Sequence, residues 1–189
     1  MAEKNSRLIT FVAGDEGSWR IVRMDTPVGR PLAGASRMNV VAGEARGDAG
    51  RWVLRGVTSN ERYVTRAEKH RLVATQEGLG RPASTCAALI PIRKNDAWWQ
   101  LPQDERRRVF EEQSHHVRIG LDYLPAVARR LHHCRDLGTQ EPFDFLTWFE
   151  YASRDAAGFD QLVARLRASE EWRYVEREVD IRLVRDGAS

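Results

Sequence analysis

The N-terminal half of the chain carries short β-prone runs of apolar residues. The segments 8–12 and 19–23 are rich in β-branched and aromatic residues, and the stretch 14–17 between them contains two glycines. Two such runs around a short glycine-containing stretch predict a β-hairpin. The segment 51–57 predicts a further strand, whereas 29–50 is rich in small residues and its structure stays open.

One helix in this half has a recognisable start. Thr65 is a good N-cap residue, and Glu68 three positions later completes a capping box. We expect this helix to run to about Glu77, because the Gly-Leu-Gly segment 78–80 then stops it.

The C-terminal half alternates strands with helices. Strands are predicted at 86–93, 143–151 and 174–184, and helices at 103–116, from about 121, and at 159–168. Val175, Val179 and Ile181 are expected on one face of the last strand, because side chains alternate along a strand. Phe159, Leu162 and Leu166 fall at the spacing of one helix face.

Each half therefore mixes strands and helices, and the two halves are roughly alike. A chain of 189 residues is long enough for one substantial core or for two small units packed together. We expect an α+β fold of two ferredoxin-like units that form an α/β barrel-like subunit. The N-terminal unit, 1–80, would be reduced, and the C-terminal unit, 81–189, would be better formed.

Composition narrows the functional classes. The 30 basic and 27 acidic residues give a net charge of +3, and they are interspersed, which argues against a nucleic-acid-binding surface. The longest apolar runs are too short to span a bilayer, and no secretory signal is visible after Met1. Cys86 and Cys134 are then expected to be reduced thiols in a cytoplasmic protein without a membrane partner.

The histidines are the first candidate chemistry. Two adjacent pairs occur, His115-His116 and His132-His133, and helical neighbours point about 100° apart, so one of each pair at most should face a given site. They are either surface or helix-end residues, or one of them is an axial haem ligand. A zinc site from His132, His133 and Cys134 is disfavoured, because consecutive residues seldom converge on one tetrahedral ion.

A basic residue follows at a suggestive distance. Arg129 lies 13 residues after His116, and on one straight helix the two would point about 220° apart. Gly120 and Pro125 make a straight helix doubtful, and a break there would let both residues line one cavity. Arg129 then either holds a small anion or lies on a solvated helix face.

Aromatic residues gather near these positions. Trp98 and Trp99 are adjacent, and the strand residues Phe145, Thr147, Phe149 and Tyr151 share one face opposite Trp148. Such a set either walls a macrocycle or forms ordinary core. Lys94 is either a surface residue or a partner for a ligand carboxylate.

Several motifs together resemble those of the chlorite dismutase family, in particular its short-chain, dimeric branch. They are Trp98-Trp99, Ser114-His115-His116, the segment 121–130 with Arg129, and Phe143-Asp144-Phe145-Leu146-Thr147-Trp148-Phe149-Glu150. The resemblance extends from about Trp52 onward and is densest between 90 and 183.

The resemblance implies haem b as cofactor and assigns roles to individual residues. His116 matches the axial ligand of the haem iron, and Glu170 matches the carboxylate bonded to the other ring nitrogen, with Glu171 as the alternative register. Arg129 matches the catalytic arginine, which Gln76 would hold. The remaining matches are Thr147 and Phe149 in the pocket, Trp98 and Trp99 near the haem, and Tyr63 and Lys94 at the haem propionates.

The implied reaction is the decomposition of chlorite to chloride and dioxygen, with formation of the O–O bond. Arg129 would keep transient hypochlorite in the site, and relatives that decarboxylate coprohaem typically lack this arginine. The resemblance also implies a homodimer, and a cytoplasmic enzyme of this kind would suit detoxification. Two alternatives stay open: a coprohaem decarboxylase or peroxidase-like enzyme of the same family, and a non-enzymatic dimeric binding module.

Overall fold

Eight antiparallel strands close into a single barrel. The computed structural model describes residues 7–45, 50–58, 64–138 and 140–186. Around the barrel the strands follow the order β1-β3-β2-β8-β5-β7-β6-β4. They are β1 (Leu8–Gly14), β2 (Trp19–Val28), β3 (Arg37–Ala42), β4 (Trp52–Thr58), β5 (Cys86–Lys94), β6 (Ala128–His133), β7 (Phe145–Tyr151) and β8 (Val175–Arg185).

The two halves of the chain contribute one arc of four strands each. The N-terminal arc has the order β4-β1-β3-β2, and the C-terminal arc repeats this order as β8-β5-β7-β6. Inward-facing residues of both arcs, such as Phe11, Leu54, Leu89 and Ile181, form one shared core inside the barrel. The expected α/β barrel-like subunit is thus confirmed, while the division at residue 80 into separate units stays a prediction.

In the part of the chain that the structure describes, five α-helices lie outside the barrel. They are α1 (Arg66–Thr75), α2 (Asp96–Gln100), α3 (Gln103–Arg107), α4 (His116–Leu121) and α5 (Ala156–Arg167). The predicted capping box of α1 is present: the Glu68 backbone N–H donates to the Thr65 hydroxyl, and the Thr65 N–H donates to the Glu68 carboxylate. Helix α5 buries Phe159, Leu162 and Leu166, the face predicted from their spacing.

The predicted hairpin of the first two strands is wrong. Both strands form, but β3 lies between them at their near ends: Ala13 of β1 and Trp19 of β2 both pair with Met38. Most of β2 pairs with β8 instead. The β3 sequence lies within the small-residue stretch 29–50, which carried too weak a local pattern to predict this insertion.

The region before Arg129 also differs from the sequence prediction. The predicted helix 103–116 breaks into α3, a π-helical segment Arg108–Gln113 and α4, with His115 left-handed at φ 53° just before α4. The predicted second helix from about 121 is absent from the described residues, and Arg129 lies on β6. Pro125 disfavours helix at its position, and pairing with β7 gives the following backbone its hydrogen bonds.

One face assignment in the last strand is also corrected. Val179 and Ile181 pack inside the barrel as expected, whereas Val175 packs outside with α5 residues. A register shift between Arg93 and Lys94 in the pairing of β5 with β8 accounts for the change of face.

Candidate active site

A cavity of about 300 Å³ lies between the outer face of the C-terminal arc and the helices that cover it. Strands β5, β6 and β7 form its floor, and α4 and α5 contribute to its cover. Apolar side chains make most of the wall: Ile90, Ile92, Val127, Leu131, Phe145, Phe149, Leu162, Val163 and Leu166. An apolar lining with a few polar groups is typical of cofactor and ligand sites.

His116 stands at the first position of α4 and lines this cavity. Its Nδ1 atom lies 2.7 Å from Oε2 of Glu171, and its ring stacks on Phe110 with 4.3 Å between centroids. The two contacts fix both the plane and the rotation of the imidazole. With Nδ1 bonded to a carboxylate, Nε2 is the ring nitrogen that remains for a metal.

The carboxylate beside His116 belongs to Glu171, so the choice of Glu170 is wrong. Both residues lie in the 3₁₀ turn Glu170–Tyr174, where neighbouring side chains point about 120° apart and only one can face His116. Glu170 instead pairs at the surface with Arg173, at 2.8 Å. Glu171 is buried, and its backbone N–H donates to Oγ of Ser114 at 2.8 Å.

Lys94 has a different partner from the one expected. Its Nζ atom lies 2.8 Å from Oε1 of Glu171, its side chain is only 3% exposed, and the ammonium sits over the Trp98 ring at 4.7 Å. The ammonium is thus committed to Glu171 rather than to a ligand carboxylate. Burial alone would raise the pKa of Glu171, but the charge of Lys94 and the interactions with His116 outweigh it and lower that pKa to about 2.

Arg129 reaches the same cavity from strand β6. Alternation along β6 directs Arg129, Leu131 and His133 to the cavity. A Cβ atom built on Gly120 would lie 3.9 Å from Cζ of Arg129. Because Gly120 follows His116 by one helical turn, the guanidinium approaches the face of α4 that carries His116. The expectation that both residues line one cavity is confirmed, although a strand rather than a broken helix brings Arg129 there.

The adjacent histidines His132 and His133 lie on opposite faces of β6, because side chains alternate along a strand. His132 points into the barrel, where its Nδ1 lies 2.9 Å from Oγ1 of Thr58, while His133 lines the cavity and contacts Phe145 edge-on. Burial, with the nearby charges of Arg130 and His133, lowers the pKa of His132 to about 4. The described residues contain no cluster of three or more His, Cys, Asp or Glu side chains arranged to hold a metal ion.

Gln76 contacts Arg129 through the backbone. Its Nε2 atom donates to the Arg129 carbonyl oxygen at 3.0 Å, so it fastens the strand rather than the guanidinium. Arg81 fastens the backbone just before β6 in the same way. Its Nη1 atom donates to the Pro125 carbonyl at 3.0 Å, and its Nη2 atom donates to the Ala126 carbonyl at 2.9 Å. Sequence reasoning missed Arg81, because nothing local distinguishes it from other surface arginines.

The predicted wall residues divide into two groups. Trp98, Thr147 and Phe149 line the cavity, and Trp148 points into the barrel as its register predicts. Trp99 is absent from the described lining: its ring stacks on Phe145 and lies 3.9 Å from Cζ of Arg135. Tyr63, the other expected propionate contact, lies outside the described residues.

The model of the family described as "Chlorite dismutase" matches residues 46–185, which is most of the chain. The chain belongs to the chlorite dismutase family. Its structure is similar to the crystal structure of a dimeric chlorite dismutase from Nitrobacter winogradskyi, with a TM-score of 0.87 and 55% identity. That similarity covers 94% of this chain and 99% of the Nitrobacter chain, in agreement with the short-chain branch expected from the motifs.

Longer members of the family are less similar. The chlorite dismutase of Ideonella dechloratans is 29% identical over 123 residues, which cover 64% of this chain but only 40% of that protein. The chlorite dismutase of Candidatus Nitrospira defluvii, solved in complex with imidazole, is 29% identical with a TM-score of 0.56 and is matched over 54% of its length. No helix among the described residues is long and apolar enough to cross a membrane.

Proposed function

We propose that this protein binds haem b through His116 and decomposes chlorite to chloride and dioxygen, with Arg129 as the catalytic arginine. The observation that carries the proposal is that these two side chains line one apolar cavity, His116 from α4 and Arg129 from β6. Membership of the family and the 55% identity to the Nitrobacter enzyme support the same reaction.

The residues around the cavity fit a haem. Aliphatic and aromatic side chains on β5, β7 and α5 provide the apolar surface that a porphyrin needs, and His116 provides a single imidazole at the edge of that surface. When bound, the haem supplies the redox chemistry on chlorite, while the protein supplies binding, orientation and charge. Tyr63 remains a predicted propionate contact.

On the His116 side, two charged residues prepare the ligand. Glu171 accepts a hydrogen bond from Nδ1–H, which leaves Nε2 with its lone pair free for iron and makes the imidazole a stronger donor. Lys94 keeps Glu171 ionised, because the buried ammonium lowers the pKa of that carboxyl. The three side chains form one line from Lys94 to the metal-binding nitrogen.

From β6, Arg129 holds anions. Its guanidinium remains charged at any physiological pH and donates in a fixed fork, which suits chlorite and the hypochlorite released when the O–Cl bond breaks. Thr147 and Phe149 form the neighbouring wall. A wall of this kind excludes water and strengthens the attraction between the guanidinium and the oxyanion. Arg129 thereby keeps hypochlorite in place until the O–O bond forms.

The finer structural assignments belong to the same proposal. We propose a homodimer, because the Nitrobacter relative that this chain matches nearly end to end is dimeric. The repeated strand order of the two arcs supports a pair of ferredoxin-like units, with the N-terminal one reduced. A cytoplasmic location and a detoxifying role remain predictions from the sequence.

An oxygen-electrode trace on haem-loaded protein tests the activity. We expect dioxygen to appear on addition of chlorite, in a ratio of one per chloride formed. Decarboxylation of added coprohaem without oxygen release from chlorite would identify the protein as the other kind of family enzyme. Absence of a Soret band after haem addition would favour the alternative of a non-enzymatic dimeric binding module.

A further inference from the structure

A second cavity, of about 340 Å³, lies at one end of the barrel interior. It lies on the inner side of the barrel, whereas the active-site cavity lies on the outer face of the C-terminal arc, and Arg130 is the residue that lines both. Its walls are inward-facing residues of six strands together with the segment that follows α1: Ile9, Trp19, Val40, Leu79, Gly80, Arg130, His132, Trp148, Glu150 and Arg185. We call it the barrel-mouth pocket.

Two arginines occupy inward positions at this mouth. Arg130 shares the β6 face with His132, which packs against Phe11 in the barrel, and Arg185 continues the inward series of β8 after Leu183. Inward positions deeper in the barrel hold apolar core residues. Arg130 is exposed and Arg185 is half-buried, so both guanidinium groups at this mouth are accessible to an anion that enters from solvent.

Each arginine stands directly across from a tryptophan. Arg130 pairs with Trp148 in the register of β6 and β7, and Arg185 pairs with Trp19 in the register of β2 and β8. The two tryptophan rings meet edge-on with 5.3 Å between centroids, and Arg185 lies 4.7 Å above the Trp19 ring. The pocket thus has an aromatic floor with a guanidinium at each side.

The charges at the mouth are not balanced within the described residues. Neither Arg130 nor Arg185 has a carboxylate partner there. Glu150 is the one acid in the lining, and both of its oxygens are engaged: Oε1 accepts from Trp148 Nε1 at 2.9 Å, and Oε2 accepts from the Gly80 N–H at 2.6 Å. His132 is neutral at physiological pH because burial lowers its pKa to about 4. The two arginines therefore face one carboxylate, both oxygens of which already accept hydrogen bonds from neutral groups.

We propose that the barrel-mouth pocket binds a small monocarboxylate with an apolar body, whose carboxylate lies between Arg130 and Arg185. The guanidinium forks match a carboxylate, and the tryptophan floor with Ile9, Val40 and Leu79 accommodates the apolar body. Mouths of β-barrels and volumes of about 300 Å³ are common for small-molecule sites.

Titration calorimetry of haem-loaded protein with benzoate tests this site, with benzamide as the neutral analogue of the same shape. We expect saturable binding of one benzoate per chain, no measurable binding of benzamide, and no change in the Soret band. Arg130→Gln and Arg185→Gln should each weaken benzoate binding about tenfold or more, since each removes a charge-assisted hydrogen bond. Arg71→Gln, an exposed arginine on α1, is the matched control and should bind as the wild type does.

Two further variants distinguish this site from the active-site cavity. Val40→Trp should block the pocket without a change of charge and abolish binding, whereas Arg129→Ala should leave binding intact. Absence of saturable benzoate binding at millimolar concentration would overturn the proposal. So would benzoate binding that survives both arginine substitutions, that disappears in Arg129→Ala, or that an equal concentration of chloride abolishes.

Discussion

At the residue scale, the imidazole of His116 is held by a line of buried polar contacts rather than by helix position alone. Nδ1 meets Glu171, which in turn meets Lys94, and the ring rests on Phe110. His116→Ala should therefore abolish stable haem binding, because the proposed iron ligand is lost. Loss of the Soret band after gel filtration would support the assignment. His70→Ala, an exposed histidine on α1, is the control; a wild-type-like haem spectrum in His116→Ala would contradict it.

Glu171 is expected to stabilise the fold in addition to its proposed role at the haem. Glu171→Gln leaves the buried Lys94 ammonium without its counter-charge, so the haem-free protein should lose about 3–5 kcal/mol in the free energy of unfolding. In the haem-loaded protein, the reduction potential should rise, because a less basic imidazole stabilises ferric iron less. Glu170→Gln, one residue away at the surface, should change neither quantity measurably. Equal effects of the two substitutions would exclude the selective role of Glu171.

The same carboxyl predicts an acid dependence of stability. Its pKa is about 2 in the folded protein, below the ordinary value of 4.5. A lowered folded pKa contributes stability above the unfolded pKa, and that contribution is lost as the pH falls from about 4.5 towards 2. Urea titrations across this range should show a smaller acid loss for Glu171→Gln than for the wild type.

Arg129 is predicted to act on retention of the anion rather than on haem binding. Arg129→Ala should keep the Soret band but release more hypochlorite and inactivate after fewer turnovers, because no guanidinium holds the transient anion. A hypochlorite trap and the rate of haem bleaching measure the two effects. Unchanged turnover number and unchanged bleaching would show that the retention role is wrong.

Prediction of single residues from the sequence succeeded where a motif assigns a role to one position. It failed where the turn or the strand register determines which of several side chains faces the site. His116 and Arg129 were expected in one cavity and are found there. Glu170 and Glu171 are adjacent and chemically identical, so only the turn that carries them decides which one faces the imidazole. The sequence predicts Lys94 at a haem propionate or at the surface and misses its burial beside Glu171, because the register shift at Lys94 arises only from the pairing of β5 with β8.

At the scale of elements, the segment after α1 fastens the strand that carries Arg129. Gln76 and Arg81 bind three backbone carbonyls in residues 125–129, and the Gly80 N–H binds Glu150 on β7. Such contacts hold a strand start that has no regular pairing of its own before Ala128. The position of the Arg129 guanidinium thus depends on the loop after α1. Arg81, which belongs to that loop, is absent from the described lining of the cavity.

Arg81→Ala should lower kcat for chlorite while haem affinity stays near that of the wild type, because it loosens residues 125–126 without removing a group from the cavity. Arg81→Lys should restore little, since an ammonium cannot span both carbonyls as the guanidinium fork does. Arg71→Ala is the matched control. If kcat and the hypochlorite leak were unchanged in Arg81→Ala, the fastening would have no bearing on Arg129.

Prediction of elements was reliable where the local pattern was strong. The capping box at Thr65 and the apolar face of α5 follow from neighbours within a few residues and are present. The pattern from about residue 121 predicts a helix, although residues 128–133 form β6, because the pairing partners of β6 lie on β7 and β4 and leave no local signal. The same reason hid β3 between the first two strands.

At the scale of the whole molecule, the barrel closes where β4 meets β6. This seam is one of the two places where the arcs meet, and among the described residues it pairs Val57 with His133 and Thr58 with His132. Gly56 allows the close approach: a Cβ there would lie 2.7 Å from the Cβ of His132.

Gly56→Ala should therefore destabilise the whole barrel rather than one element. The added methyl group overlaps the His132 Cβ on a neighbouring strand, and overpacking of this kind costs about 1–3 kcal/mol. Guanidinium unfolding of the haem-free protein should show a lower midpoint with an unchanged slope. Gly34→Ala is the matched control, since a Cβ there meets nothing within 4 Å and its midpoint should not fall. An equal, small effect of both substitutions would mean that β6 can move away from β4 at no cost, and that the close contact at this seam does not limit the stability of the barrel.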